Sequence, residues 1–203
     1  MSTTTTLTKT IQTELKAITN VSAAAQSISS TLTITTGSKA AFFIDVAPEA
    51  TNVPGTEFRI EASQKASGDD TWVTLYSILS SKSTVNSNAV DGTEAVGSTV
   101  IEETTTTGLA LGQIVFFKNS TIGNSEWGRI VALSASTSFT LLDGLTNAQT
   151  GSTWYNQAER FELEFDVEAL TRLRVVCNNN YAASSVAINW RCACITLDSF
   201  VTV

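Results

Sequence analysis

Between Phe161 and Glu168 apolar and acidic residues alternate without a break. Phe161, Leu163, Phe165 and Val167 fall on one side, and Glu162, Glu164, Asp166 and Glu168 on the other. A period of two is that of a β-strand with one buried and one solvated face; a helix would scatter both sets around its axis. The same alternation sets Phe58, Ile60 and Ala62 against Glu57, Arg59 and Glu61. Near the C-terminus, Val186, Ile188, Trp190, Cys192 and Cys194 alternate with Ala187, Asn189, Arg191 and Ala193, whose partly apolar face suits a central strand. Thr171–Val176 adds Leu173 and Val175 opposite Arg172 and Arg174, and the turn residues Asn178-Asn179-Asn180 follow.

Further strands are expected at Thr31–Thr36, Ala41–Ala47, Glu57–Ser63, Thr71–Ile78 and Thr99–Glu103. Gly68-Asp69-Asp70 predicts a hairpin between the third and fourth of these, and Ser80–Gly97 reads as a long polar loop. From Thr107 to Tyr155 the strands are shorter: Gln113–Lys118, Glu126–Leu133, Ser138–Leu142 and Ser152–Tyr155. Residues 1–30 differ again. Ile11, Leu15 and Ile18, with Ala25, follow helical spacing, and Thr10 with Glu14 suits the start of a turn. This stretch reads either as a short amphipathic helix or as an arm that orders on a neighbour.

The expectation is therefore an all-β protein: an antiparallel β-sandwich from residues 31–106 and 156–203, an N-terminal arm at 1–30, and a small β-barrel-like unit inserted at 107–155. The expected sandwich core contains Phe58, Ile60, Phe161, Leu163, Phe165, Val167, Val175, Ile188 and Trp190.

At 203 residues the chain is long enough to bury a core without disulfide or metal. Thirty-two threonines suit pleated, half-exposed strands. The net charge of −7 and the lack of any lysine–arginine cluster argue against tracking a nucleic-acid backbone. No apolar run reaches transmembrane length, and the threonine tract Ser2–Thr6 is unlike a secretory leader, so no membrane association is expected.

There is no histidine, which removes the commonest general base and every histidine-dependent metal site. No serine sits in Gly-x-Ser-x-Gly, and no phosphate-binding glycine loop is present. Glu162 and Glu164 have the spacing of a carboxylate pair but read as a solvated strand face. Asp69, Asp70, Asp91 and Glu94 offer oxygen ligands without calcium-loop spacing, and turn formation explains them. Cys177, Cys192 and Cys194 lie in apolar strand contexts and read as buried small hydrophobes. No catalytic residue, metal or cofactor is expected. Of Trp72, Trp127, Trp154 and Trp190, with Tyr76 and Tyr155, only Trp127 is a candidate for an exposed contact.

One set of segments carries a resemblance. Gly112-Gln113-Ile114-Val115-Phe116, Asn124-Ser125-Glu126, Arg129-Ile130 and Leu141-Leu142-Asp143-Gly144-Leu145 resemble parts of structural proteins from tailed-phage particles. Ala158-Glu159-Arg160-Phe161 and Leu170-Thr171-Arg172-Leu173-Arg174-Val175-Val176, running to Asn178-Asn179-Asn180-Tyr181, extend the likeness to roughly half the chain. The resemblance implies a virion role: a capsid decoration or cement subunit, assembled in the host cytoplasm and placed on the capsid exterior. It implies the major capsid protein as partner and a homo-oligomer, such as the trimers that meet local three-fold lattice points. Ile11, Leu15 and Ile18 in the arm and Trp127 are then the partner-binding candidates. A neck or tail adaptor is the competing virion role. A carbohydrate-binding receptor module, using Trp127 or the Ser80–Gly97 loop, is the alternative of a different class.

Overall fold

In the computed structural model the described residues are 5–6, 13–34, 39–68, 71–82, 84–167, 169–180, 186–197 and 201–202. In chain order the strands begin with β1 Thr5–Thr6, β2 Thr13–Val21, β3 Gln26–Ile28, β4 Leu32–Thr33, β5 Lys39–Pro48 and β6 Asn52–Ser63. Then come β7 Val73–Lys82, β8 Ser87–Ala89, β9 Thr93–Glu94, β10 Val100–Glu102, β11 Ile114–Lys118 and β12 Glu126–Ser134. The last six are β13 Ser138–Leu141, β14 Gln149–Thr150, β15 Thr153–Asp166, β16 Arg172–Asn179, β17 Ile188–Leu197 and β18 Val201–Thr202. The only helical element described is one 3₁₀ turn at Ile122–Asn124.

All pairings are antiparallel. A nine-stranded sheet runs β10-β13-β12-β11-β15-β5-β17-β2, with β8 beside the N-terminal end of β15. A five-stranded sheet runs β3-β16-β6-β7, with β4 also on β16. The two sheets face each other across a core to which β5 gives Ala40, Phe42, Ile44 and Val46, β6 gives Phe58 and Ile60, and β17 gives Ile188, Trp190, Cys192 and Cys194. The alternation seen in the sequence supplies this core, since each strand sends every second residue inward.

The expected small barrel is not formed: among the described residues no sheet closes on itself. β11 pairs with β12 on one side and with β15 on the other, so the edge a barrel would need is already taken by the long sheet. At the far end β10 has only three residues. The strands of 107–155 instead lengthen the nine-stranded sheet. Their inward residues, Val115, Phe117, Ile130, Phe139 and Leu141, build a second core with Val90, Ile101, Leu145 and Trp154.

Four other local expectations change. Residues 13–21 form neither a helix nor a free arm but strand β2, paired along β17. The short strand expected at Ser152–Tyr155 and the one expected from Phe161 are a single strand, β15, from Thr153 to Asp166. Asn178 and Asn179 continue β16 rather than turning; Asn179 Nδ2 donates to the carbonyls of Val21, Ser22 and Val186 and ties β16 to the β2 and β17 ends. The Ser80–Gly97 stretch contains the end of β7 and the short strands β8 and β9. Gly37-Ser38, Asp69-Asp70, Glu168 and Tyr181 lie outside the described residues.

Candidate functional site

A bulge in β15 positions a row of charged side chains that crosses three strands. Gln157 has φ 61, the left-handed conformation, and the β11–β15 register shifts between Ile114 and Phe116. One extra residue reverses which side chains point inward. Before the bulge Trp154 enters the second core; after it Phe161 and Leu163 pack on the first. On the opposite face Tyr155 and Ala158 join Ala47, Phe116, Ile18, Ile114 and Trp127 in a small third cluster.

Beyond Ala158 the same face carries Arg160. Asp45 on β5 lies directly across from Arg160 on β15 and from Arg191 on β17. The result is an Arg–Asp–Arg row over three strands. Arg160 Nε and Nη2 donate to Asp45 Oδ1 and Oδ2 at 2.6 and 3.0 Å, and Arg191 Nε donates to Oδ2 at 2.7 Å. The Asp45 side chain is only 5% exposed, against 41% and 39% for the two arginines. The carboxylate, accepting these bonds, holds the Arg160 guanidinium above its ordinary pKa. Arg191 stacks on Trp127 at 4.7 Å from the ring centroid, and Phe116 packs against that indole at 4.4 Å.

Two adjoining hollows open on this row. One, of about 600 Å³, is bordered by Glu14, Lys16, Phe43 and Glu162; the other, of about 450 Å³, by Trp127, Arg129, Leu142 and Asp143. Both share Arg160 and Arg191. A polar cluster beside them ties four strand regions of the sheet together. Glu49, just past β5, accepts from Lys118 Nζ of β11 at 2.7 Å, Asn20 Nδ2 of β2 at 2.7 Å and Asn189 Nδ2 of β17 at 2.8 Å. Glu126 likewise accepts from the backbone of Thr146 and Asn147 and from Gln149 Nε2, holding the loop at the rim.

This arrangement orients charge without activating it. The carboxylate in the row is saturated by two permanent cations, and no hydroxyl or thiol is paired with a base there. All three thiols are free, buried and raised in pKa by that burial, Cys194 to about 12. They are poor nucleophiles and poor metal ligands. No group of three metal-ligating side chains occurs among the described residues.

The residues singled out from the sequence are dispersed. Ile11 lies outside the described residues. Leu15 is buried in the first core, and Ile18 packs on the third cluster. Trp127 is half-buried, with Phe116 packed against its indole and the Arg191 guanidinium over the ring. Phe58, Ile60, Val167, Val175, Ile188 and Trp190 are fully buried; Phe161, Leu163 and Phe165 are half-buried against the same core. Glu162 borders the groove, whereas Glu164 pairs with Lys39 at 2.6 Å. Glu94 accepts from the Glu102 amide, Asp91 is exposed, and Asp69 and Asp70 lie outside the described residues. The Arg160–Asp45–Arg191 row escaped the sequence reading. Its one local signal is Asp45, a lone charge inside the apolar run Ala41–Ala47.

A second surface is β7, the edge strand of the five-stranded sheet. Val73, Leu75, Tyr76 and Leu79 are 64%, 41%, 43% and 56% exposed. At the far end of the nine-stranded sheet Val100, Val131, Leu133 and Leu142 are also exposed.

No protein-family profile and no curated protein matches the sequence. Among solved structures, the chain is similar to VP17, a capsid protein of bacteriophage P23-77, at 9% identity and a TM-score of 0.20, over 96% of this chain and 100% of that one. It is similar to the infectious bursal disease virus VP2 subviral particle at 8% identity and a TM-score of 0.22, over 98% of this chain and 42% of that one. The Gx strain structure of the same virus matches at 9% identity and a TM-score of 0.22, over 97% and 84%. The finding is a weak, broad resemblance to viral capsid proteins, phage and non-phage, which does not single out tailed-phage decoration or neck and tail proteins. At these scores it carries no argument about function.

Proposed function

We propose that this chain is a virion structural protein, a capsid decoration or cement subunit that stabilises a phage head through contacts with the major capsid protein and with its own copies. The observation that carries this reading is the exposure of large apolar side chains in two separate strand regions, along β7 and around β10 and β12. Exposed apolar strand surface marks contact with another protein. The grooved face supports the same reading, because its charges are committed to one another rather than to a reacting atom. The segments that resemble tailed-phage structural proteins supply the virion context.

Cryo-electron microscopy of intact particles carrying the protein tests this. Density at quasi-three-fold or two-fold capsid positions is expected. Six or twelve copies at a single vertex overturn decoration in favour of a neck or tail adaptor, and particles without such density overturn the virion role. Glycan-array binding that disappears in Trp127→Ala would replace it with a receptor module.

A further inference from the structure

We propose that the chain cross-links itself, independently of any virion role: an isopeptide bond forms between Lys118 Nζ and the side-chain carbonyl carbon of Asn189, with Glu49 carrying the protons.

The groups this bond needs meet at one oxygen. Lys118 Nζ donates to Glu49 Oε1 and Oε2, both at 2.7 Å. Asn189 Nδ2 donates to the same Oε1 at 2.8 Å. The amine and the carboxamide nitrogen are therefore no more than two hydrogen-bond lengths apart. Asn20 Nδ2 donates to Glu49 Oε1 at 2.7 Å and to Asn189 Oδ1 at 3.2 Å. It stands where negative charge develops when the Asn189 carbonyl is attacked.

Asparagine is depleted in strands, yet Asn20 of β2 and Asn189 of β17 are cross-strand partners. Asn189 alternates with the core residues Ile188 and Trp190, so its side chain leaves the first core. It shares the face of Ala47, its neighbour across the β5 ladder, which belongs to the third cluster. Asn189 is fully buried. The Glu49 and Lys118 side chains are 16% and 34% exposed, which keeps the reacting atoms largely out of water and leaves ammonia an exit. Burial here disfavours charge: the Tyr155 hydroxyl has its pKa raised first by burial and then by the Glu49 carboxylate.

The reaction begins with a proton passing from the Lys118 ammonium to Glu49, which frees the amine as a nucleophile. The Nζ lone pair forms a bond to Asn189 Cγ, and the carbonyl π electrons move to Oδ1, facing Asn20 Nδ2. Glu49 gives its proton to Asn189 Nδ2 and takes a second one from Nζ. The Cγ–Nδ2 bond breaks as the carbonyl reforms. Ammonia leaves, taking the last proton as ammonium, and Glu49 ends as a carboxylate. No oxidant or cofactor is needed. In the sheet β15 and β5 lie between β11 and β17, so the bond clips together strands that share no ladder. Closing the chain between them also restricts the unfolded state.

The denatured intact mass of the full chain should fall one ammonia short of its sequence mass, and digestion should release a branched peptide joining Lys118 to Asn189. Lys118→Arg keeps a cation on Glu49 but removes the nucleophile. It should show its full sequence mass, unchanged circular dichroism and a lower urea midpoint. Glu49→Gln should likewise stay at full mass. A parent chain at full sequence mass, a branch point at Asn20, or ammonia loss that persists in Lys118→Arg overturns the proposal. The peptide map of the parent chain decides the matter even where a variant fails to fold.

Discussion

The carboxylates of Glu103, buried, and Glu49, half-buried, act on stability in different ways. Glu103 is buried, and desolvation raises its pKa above the ordinary carboxylate value; Asn88 Nδ2 donates to one oxygen, while Oε1 has no conventional partner. A raised folded pKa means that ionisation opposes folding. The penalty is full above the folded pKa and is relieved as pH falls through it towards the unfolded value. Glu103→Gln should therefore stabilise the protein at neutral pH, with the gain vanishing in acid, as urea titrations across pH would record. At Glu49 the hydrogen bonds it accepts decide. Its removal strands the fully buried Asn189 amide and releases Lys118 and Asn20. Glu49→Ala should cost about 1–3 kcal/mol by urea denaturation. The surface pair Lys39–Glu164 should matter far less, with Glu164→Ala below about 0.5 kcal/mol.

At the level of elements, the bulge in β15 decides more than any regular stretch. Gln157 holds a left-handed backbone that L side chains disfavour by roughly 1–2 kcal/mol. Gln157→Gly should leave stability unchanged or raise it by up to about 1 kcal/mol, and Gln157→Val should lower it. Thermal melts of both variants check the direction. Without the left-handed residue the strand would carry one phase throughout, and Trp154 and Phe161 would face opposite sides of the sheet. The strict alternation from Phe161 is legible in the sequence; the phase change four residues earlier is not, because glutamine carries no signal for it.

For the whole molecule, the nine-stranded sheet runs under both cores, so the halves are mechanically one. Trp154→Ala in the second core and Trp190→Ala in the first should each lower the midpoint of a single shared calorimetric transition. Two separately shifting transitions would show that the cores unfold independently. Within the first core depth sets the cost. Phe58→Ala should lose about 3–5 kcal/mol, and Phe165→Ala, half-buried against Phe42 and Tyr76, about half of that.

Along β6, β16, β17 and β15 from Phe161 onward, the sequence by itself determined that the stretch is a strand and which of its apolar residues turn inward, because the two-residue period is local and survives any tertiary arrangement. Phe58, Ile60, Ile188 and Trp190 could be placed in the core on that ground alone. It also determined that the cysteines are apolar packing residues, from their neighbours on alternating strands. Tertiary structure decided what lies beside what. Leu15 and Ile18 were ambiguous until β17 offered them a ladder, since short thinly apolar segments take the structure their neighbours impose. A compact barrel and an extension of the main sheet have the same strand lengths; only the pairing of β11 with β15 separates them. The Arg160–Asp45–Arg191 row joins residues 115 and 146 positions apart, and no local pattern encodes such a register. The edge position of β7 is likewise a property of strand order, which leaves its exposed leucines indistinguishable in sequence from those of a buried strand.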